Sequence, residues 1–170
     1  MPRPWPVVVA DSTLVLTREI DLPREIVWDA IVDDALVSGW LAEASIEPRV
    51  DGHYDLAWFH REHLPATRGE ITLLEQPAAL EVDTSNVGLL LFELENLDWG
   101  TRGRSTLLRL TIIIDTEPAF ATSMKAHWLS DLEQLEDLLR GHPVDWANWE
   151  RDRHEAWSSY ASLRGSNSPQ

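Results

Sequence analysis

Hydrophobic and polar positions alternate with period two through the middle of the chain and with helical period on either side of it. In Thr13 to Ile20 the apolar residues Leu14, Leu16 and Ile20 fall on one face, which predicts a strand. Arg18 falls on that same face, where a cation is costly unless it is paired. Next, Ile26, Val27, Ala30 and Ile31 repeat at helical spacing. Pro23 suits the first position of that helix, and Asp21 places negative charge near its start. Asp33 or Asp34 is suited to cap a second short helix running to about Trp40. Ala44 to Arg49 and His53 to Phe59 flank Asp51-Gly52, a hairpin signal. Arg68 to Glu75, Leu80 to Thr84, Leu89 to Glu95 and Ser105 to Asp115 read as further strands, with turns at residues 76–78 and 99–103. Strands this close in sequence pair antiparallel. A long helix is predicted from about Ala119 to Gly141, with Met124, Trp128, Leu132, Leu135 and Leu139 along one face and Gly141 at its C-cap.

These elements imply an α+β fold. A curved antiparallel sheet of about six or seven strands wraps the long C-terminal helix, and two short helices follow the first strand. The expected domain spans 13–141, after a leader broken by Pro2, Pro4 and Pro6. An aromatic-rich helical extension spans 142–164, and 165–170 form a disordered tail. At 170 residues the chain is long enough for one full core. The 44% hydrophobic and 25% charged content is that of a globular protein.

Charge narrows the function classes. Fourteen basic against 29 acidic residues leave a net charge of -15, which argues against nucleic acids and anionic membranes as partners. With no cysteine there is no disulfide, thiolate metal site or cysteine nucleophile. No targeting segment or membrane-length apolar run is visible, so the expected location is cytoplasmic.

Several segments together resemble the START-like helix-grip superfamily, also called SRPBCC. Arg18 to Ala30 looks like its opening, and Trp40 is similar to the tryptophan of its second helix. Val50-Asp51-Gly52-His53-Tyr54 resembles its Gly-Gly-aromatic hairpin, with Asp51 in place of the first glycine. Gly69 to Leu80, Ser105 to Thr111 and the tryptophan-bearing last helix continue the resemblance, which covers about residues 13 to 140. Within the superfamily the chain looks most like homologues of the activator of heat-shock-chaperone ATPase, of the Aha-type C-terminal domain. The resemblance implies a tunnel between sheet and helix. Many members bind lipids, sterols, aromatic polyketides or hormones, and some catalyse cyclisation, dehydration or hydrolysis.

Strand parity proposes the lining of such a tunnel. Tyr54, Leu56, Trp58 and His60 share a face, as do Leu90, Phe92 and Leu94, and Leu108, Leu110, Ile112 and Ile114. The helix adds Met124, Trp128 and Leu132. The candidate ligand-binding residues are therefore Arg18, Tyr54, Trp58, His60, Phe92, Leu110, Met124 and Trp128. Tyr54, Trp58 and Trp128 join apolar bulk to a hydrogen-bonding tip, and Arg18 suits a ligand carboxylate. Each has a plainer alternative: core packing for the aromatics, a salt bridge for Arg18.

No catalytic constellation is legible. His60 and His63 do not form a zinc motif, His127 suits a general acid/base or, more plainly, a surface or capping role, and no phosphate-binding glycine loop is present. The expectation is no metal and no cofactor, and a protein that binds a small hydrophobic or aromatic molecule. A cyclase- or hydrolase-type enzyme of the same fold is one alternative. A co-chaperone-like interaction protein is another, weakened because the authentic activators carry a separate N-terminal domain for which there is no room before residue 13. Trp146, Trp149, Trp157 and Tyr160 either pack back on the domain or form a homodimer interface.

Overall fold

The structure, a computed structural model, describes residues 7–10, 13–59, 65–114 and 118–148. The strands are β1 (Val7–Ala10), β2 (Thr13–Ile20), β3 (Glu43–Ile46), β4 (Tyr54–Ala57), β5 (Gly69–Glu75), β6 (Ala79–Thr84), β7 (Leu89–Leu97) and β8 (Ser105–Ile113). The helices are α1 (Arg24–Val32), α2 (Asp34–Val37) and α3 (Pro118–Leu139). Six strands form one antiparallel sheet in the order β1-β2-β8-β7-β6-β5, and β3 and β4 pair separately. The small pair meets the sheet through the bridges His53↔Glu70 and Leu56↔Thr67. This is the helix-grip architecture.

Period-two burial sets the register. Leu16, Leu110, Phe92 and Leu80 stand opposite one another across four strands, and Leu14, Ile112, Leu90 and Val82 form the next row. All are buried, and they join Met124, Trp128, Leu132 and Leu135 of α3 in one core. A one-residue slip of any strand would turn its apolar set towards water. The leader differs from expectation, because Val7–Ala10 pair with Thr13 to Leu16 as an edge strand.

The short helices are held by side chains. Asp33 caps α2, its Oδ1 accepting from the Ala35 and Leu36 amides at 2.9 and 3.3 Å. Pro23 stands just outside α1, in an extended conformation at the cap. The free carbonyls at the end of α1 receive two buried donors: Trp40 Nε1 donates to Ala30 O and the Tyr54 hydroxyl to Ile31 O, both at 2.7 Å.

The β3–β4 connection is longer than a two-residue turn, since Ile46 pairs with Tyr54. Asp51 sits at φ 67°, in the left-handed region, and is the residue that replaces the first glycine of the hairpin pattern. A Cβ on Gly52 would run into the Glu47 and Arg49 carbonyl oxygens, so this glycine is required by close packing. Helix α3 ends in a Schellman motif. Gly141 at φ 89° donates to Leu138 O at 2.9 Å, and His142 donates to Asp137 O at 2.8 Å.

Candidate functional site

Helix α3 starts just beyond Ile113, where β8 ends, and returns along the sheet. The ion pair of Arg18 with Glu136 sets its C-terminal end near the start of β8, and Trp128 lies two turns before Glu136.

Tyr54, Phe92, Leu110, Met124 and Trp128 are buried in the one apolar core, with Trp58 half-buried against it. The polar tips of two of them are already used. The Tyr54 hydroxyl ties α1, and burial pushes its ionisation well above the ordinary phenol range, so it is neutral. Trp58 Nε1 donates to Thr67 Oγ1 at 2.8 Å. The Thr67 hydroxyl donates to Asn86 Oδ1 at 2.6 Å, and Asn86 Nδ2 donates to Pro65 O at 2.9 Å. Trp128 differs. It is 0% exposed, and its Nε1 is buried with no hydrogen-bond partner. Most buried N–H groups are satisfied, and leaving one unmade costs about 1–3 kcal/mol. His60 lies outside the described residues.

At the C-terminal end of α3 stands Arg18. Its Nε lies 2.6 Å from Glu136 Oε1, and its Nη2 donates to Glu136 Oε2 at 3.4 Å. The two side chains are 15% and 9% exposed, so this is a largely dry ion pair. Arg140 adds a second guanidinium 3.4 Å from Glu136 Oε2. Burial nevertheless holds the Glu136 carboxyl above its usual range, against the pull of Arg18 and Arg140. A pocket of about 240 Å³ opens here, lined among others by Arg18, Trp99, Glu136 and Arg140. On its rim, Asp21 accepts from the Thr101 hydroxyl at 2.5 Å and the Thr101 amide at 2.9 Å, and these bonds hold its pKa low. Asp21 thus ties down the 99–103 turn as well as preceding α1.

Five of the predicted lining residues are buried in the core, Trp58 is half-buried against it, and Arg18 is ion-paired with Glu136. Glu136 is eight residues beyond Trp128, about 12 Å along the helix. Sequence reading missed Glu136, Thr67 and Asn86. A signal for Glu136 existed, because it stands four residues after Leu132, beside the apolar stripe. Thr67 and Asn86 carry no such signal.

Of the C-terminal aromatics, Trp146 packs back on the domain. Its Nε1 donates to Ser38 O at 2.7 Å, and its ring stacks on Phe59 with centroids 4.6 Å apart. Trp149, Trp157 and Tyr160 lie outside the described residues. Among the described residues no cluster of three or more His, Asp or Glu side chains is placed to hold a metal ion, and no helix is long and apolar enough to cross a membrane.

Known proteins place the fold. A protein from Rhodobacter sphaeroides superposes with a TM-score of 0.66 at 19% identity, over 81% of this chain and 98% of that one. CalU16 from Micromonospora echinospora superposes at 0.59 with 21% identity, over 87% of each chain. DynU16, from the dynemicin biosynthetic locus, superposes at 0.61 with 17% identity, over 79% of this chain and 49% of that one. A search of curated protein sequences returns no match. The sequence profile of the family described as Activator of Hsp90 ATPase homolog 1-like protein matches residues 21–140, from the pocket-rim Asp21 to Arg140 at the end of α3. The chain therefore belongs to the Activator of Hsp90 ATPase homolog 1-like family.

Proposed function

We propose that this protein binds a small hydrophobic or aromatic molecule between the sheet and the N-terminal half of α3. The observation that carries the reading is the buried, unpartnered Nε1 of Trp128 in the apolar core. A donor left unmade in a core is costly, and a bound acceptor would relieve that cost. Phe92, Leu110 and Met124 are the apolar contacts, and Trp58 stands at the edge as the entry residue. Met124 suits a wall that must re-pack, being unbranched and adaptable. Burying about 200 Å² of a flat ligand would contribute about 5 kcal/mol before the costs of association. DynU16, which shares the fold and comes from a biosynthetic locus, is in keeping with a small-molecule role.

Native mass spectrometry of gently purified protein, with titration of the neutral dye phenylnaphthylamine, tests the reading. A retained small-molecule mass, or saturable dye fluorescence that weakens in Trp58→Ala, supports it. Bare protein that also fails to bind the dye overturns it.

A further inference from the structure

The interior offers a ligand very few polar groups, and their character selects among ligands. The tips of Tyr54, Trp40 and Trp58 are all engaged by protein acceptors, and Gln134 Nε2 donates to Trp40 O at 2.7 Å. Apart from Glu136, which Arg18 holds, and His127, which has a contact of its own, the buried side-chain atoms without a hydrogen bond among the described residues are Ser105 Oγ, Ser130 Oγ and Trp128 Nε1. Ser105 begins β8 opposite Leu97, at the Arg18 end of the sheet. Ser130 is two residues from Trp128 and so on a different face of α3. Trp128 is the one of these whose side chain is otherwise apolar and part of the hydrophobic core. No lysine or arginine is fully buried among the described residues, and Arg18 is held by Glu136 two turns further along the helix.

We infer that the interior selects neutral molecules bearing a hydrogen-bond acceptor, such as ketones, quinones or lactones, over both carboxylates and plain hydrocarbons. The inference rests on the ligand-binding reading above and adds the ligand's chemistry. A neutral carbonyl satisfies the Trp128 N–H and brings no charge out of water. A carboxylate would exchange its hydration for a single neutral donor, with no lysine or arginine buried among the described residues to compensate it and with the buried Asp131 one turn further along α3. A hydrocarbon leaves the N–H as it stands, unmade.

Acetylnaphthalene, naphthoate and ethylnaphthalene, three ligands of one shape, compete against phenylnaphthylamine on the wild-type protein and on Trp128→Phe. The ketone is expected to bind about fivefold more tightly than the hydrocarbon and more than tenfold more tightly than the carboxylate. The preference over the hydrocarbon should vanish in Trp128→Phe. The indole N–H resonance of Trp128 in the wild-type protein gives a readout that needs no variant, and it should move downfield on ketone binding. Naphthoate binding as tightly as the ketone, or an unmoved N–H resonance with the ketone bound, overturns the selectivity and leaves the binding reading standing. Failure of the dye and all three ligands to bind overturns both.

Discussion

At its C-terminal end α3 meets the sheet through charge: Glu136 takes Arg18 and Arg140, and the group opens onto a solvent pocket. Two turns earlier the same helix meets the same sheet through Trp128, with apolar neighbours and an N–H that nothing accepts. Both ends bury polar groups, and they handle the cost in opposite ways. At the charged end Arg18, Glu136 and Arg140 compensate one another's charge within the protein, which leaves a charged ligand little to gain there. The apolar end leaves one donor unmade, and an unmade bond is what a ligand can complete. Arg18 stands out on an apolar strand, and its pairing with Glu136 is the plainer of the two readings its position allowed.

Substitutions at the two ends sharpen this contrast. Trp128→Ala should have the largest effect, a loss of about 3–5 kcal/mol from the cavity it opens, read as a lowered urea midpoint. Trp128→Phe should stay within about 1 kcal/mol of wild type, because it keeps most of the volume and removes only the unpartnered donor. A large loss in Trp128→Phe would mean that the N–H has a partner in solution, and the contrast would collapse.

At the charged end, Glu136→Ala should cost about 3 kcal/mol by removing the carboxylate that faces the largely buried Arg18. The double variant Arg18→Met with Glu136→Leu should recover most of that loss. If the double variant is as unstable as the single one, packing rather than charge sets the cost.

Trp146→Ala should cost about 1–2 kcal/mol, through the hydrogen bond to Ser38 and the stack on Phe59. Thermal unfolding of the full chain checks it, and an unchanged midpoint would show that the segment after α3 does not brace the domain.

The smallest effect is in pH. Because the folded-state pKa of Glu136 lies above the ordinary 4.5, the folded protein holds this proton more tightly than the unfolded chain. Its contribution is fully present below that ordinary value and is lost as pH rises through the raised folded value. Asp21 runs the other way: its contribution is present above the ordinary 3.8 and is lost as pH falls through its lowered folded value. Glu136→Gln should remove the part of stability that fades on going from acid to neutral pH and leave the Asp21 part intact. Urea midpoints across the acid range show this as a flatter profile, and an unchanged profile would place the Glu136 titration elsewhere.

Much of the fold was legible because local rules and the final packing agree. The period-two runs became β5 to β8 nearly to the residue, Asp33 caps α2, and Gly141 closes α3. The β3–β4 turn was less legible. Asp51-Gly52 mimics a two-residue turn, while the real loop is fixed by the close approach of Gly52 to Glu47 and Arg49. The strand at Val7–Ala10 was missed because prolines dominate the reading of the leader, and pairing with β2 outweighs them. Parity placed Tyr54, Phe92, Leu110, Met124 and Trp128 on inward faces, and all five are buried in the core. It did not distinguish a tip already used, as in Tyr54, from one still open, as in Trp128.

By itself the sequence determined the elements, the faces they bury and the layered architecture, because helical and strand periodicities are local properties of the chain. Tertiary structure decided which partner each buried polar group found. Arg18 and Glu136 are 118 positions apart, and Trp146 and Ser38 are 108 apart. No local rule pairs groups so distant, since hydrogen bonds and ion pairs depend on contacts within a few ångströms that exist only once the chain has closed on itself. The same holds for the Trp128 N–H, whose lack of a partner is a property of everything packed around it.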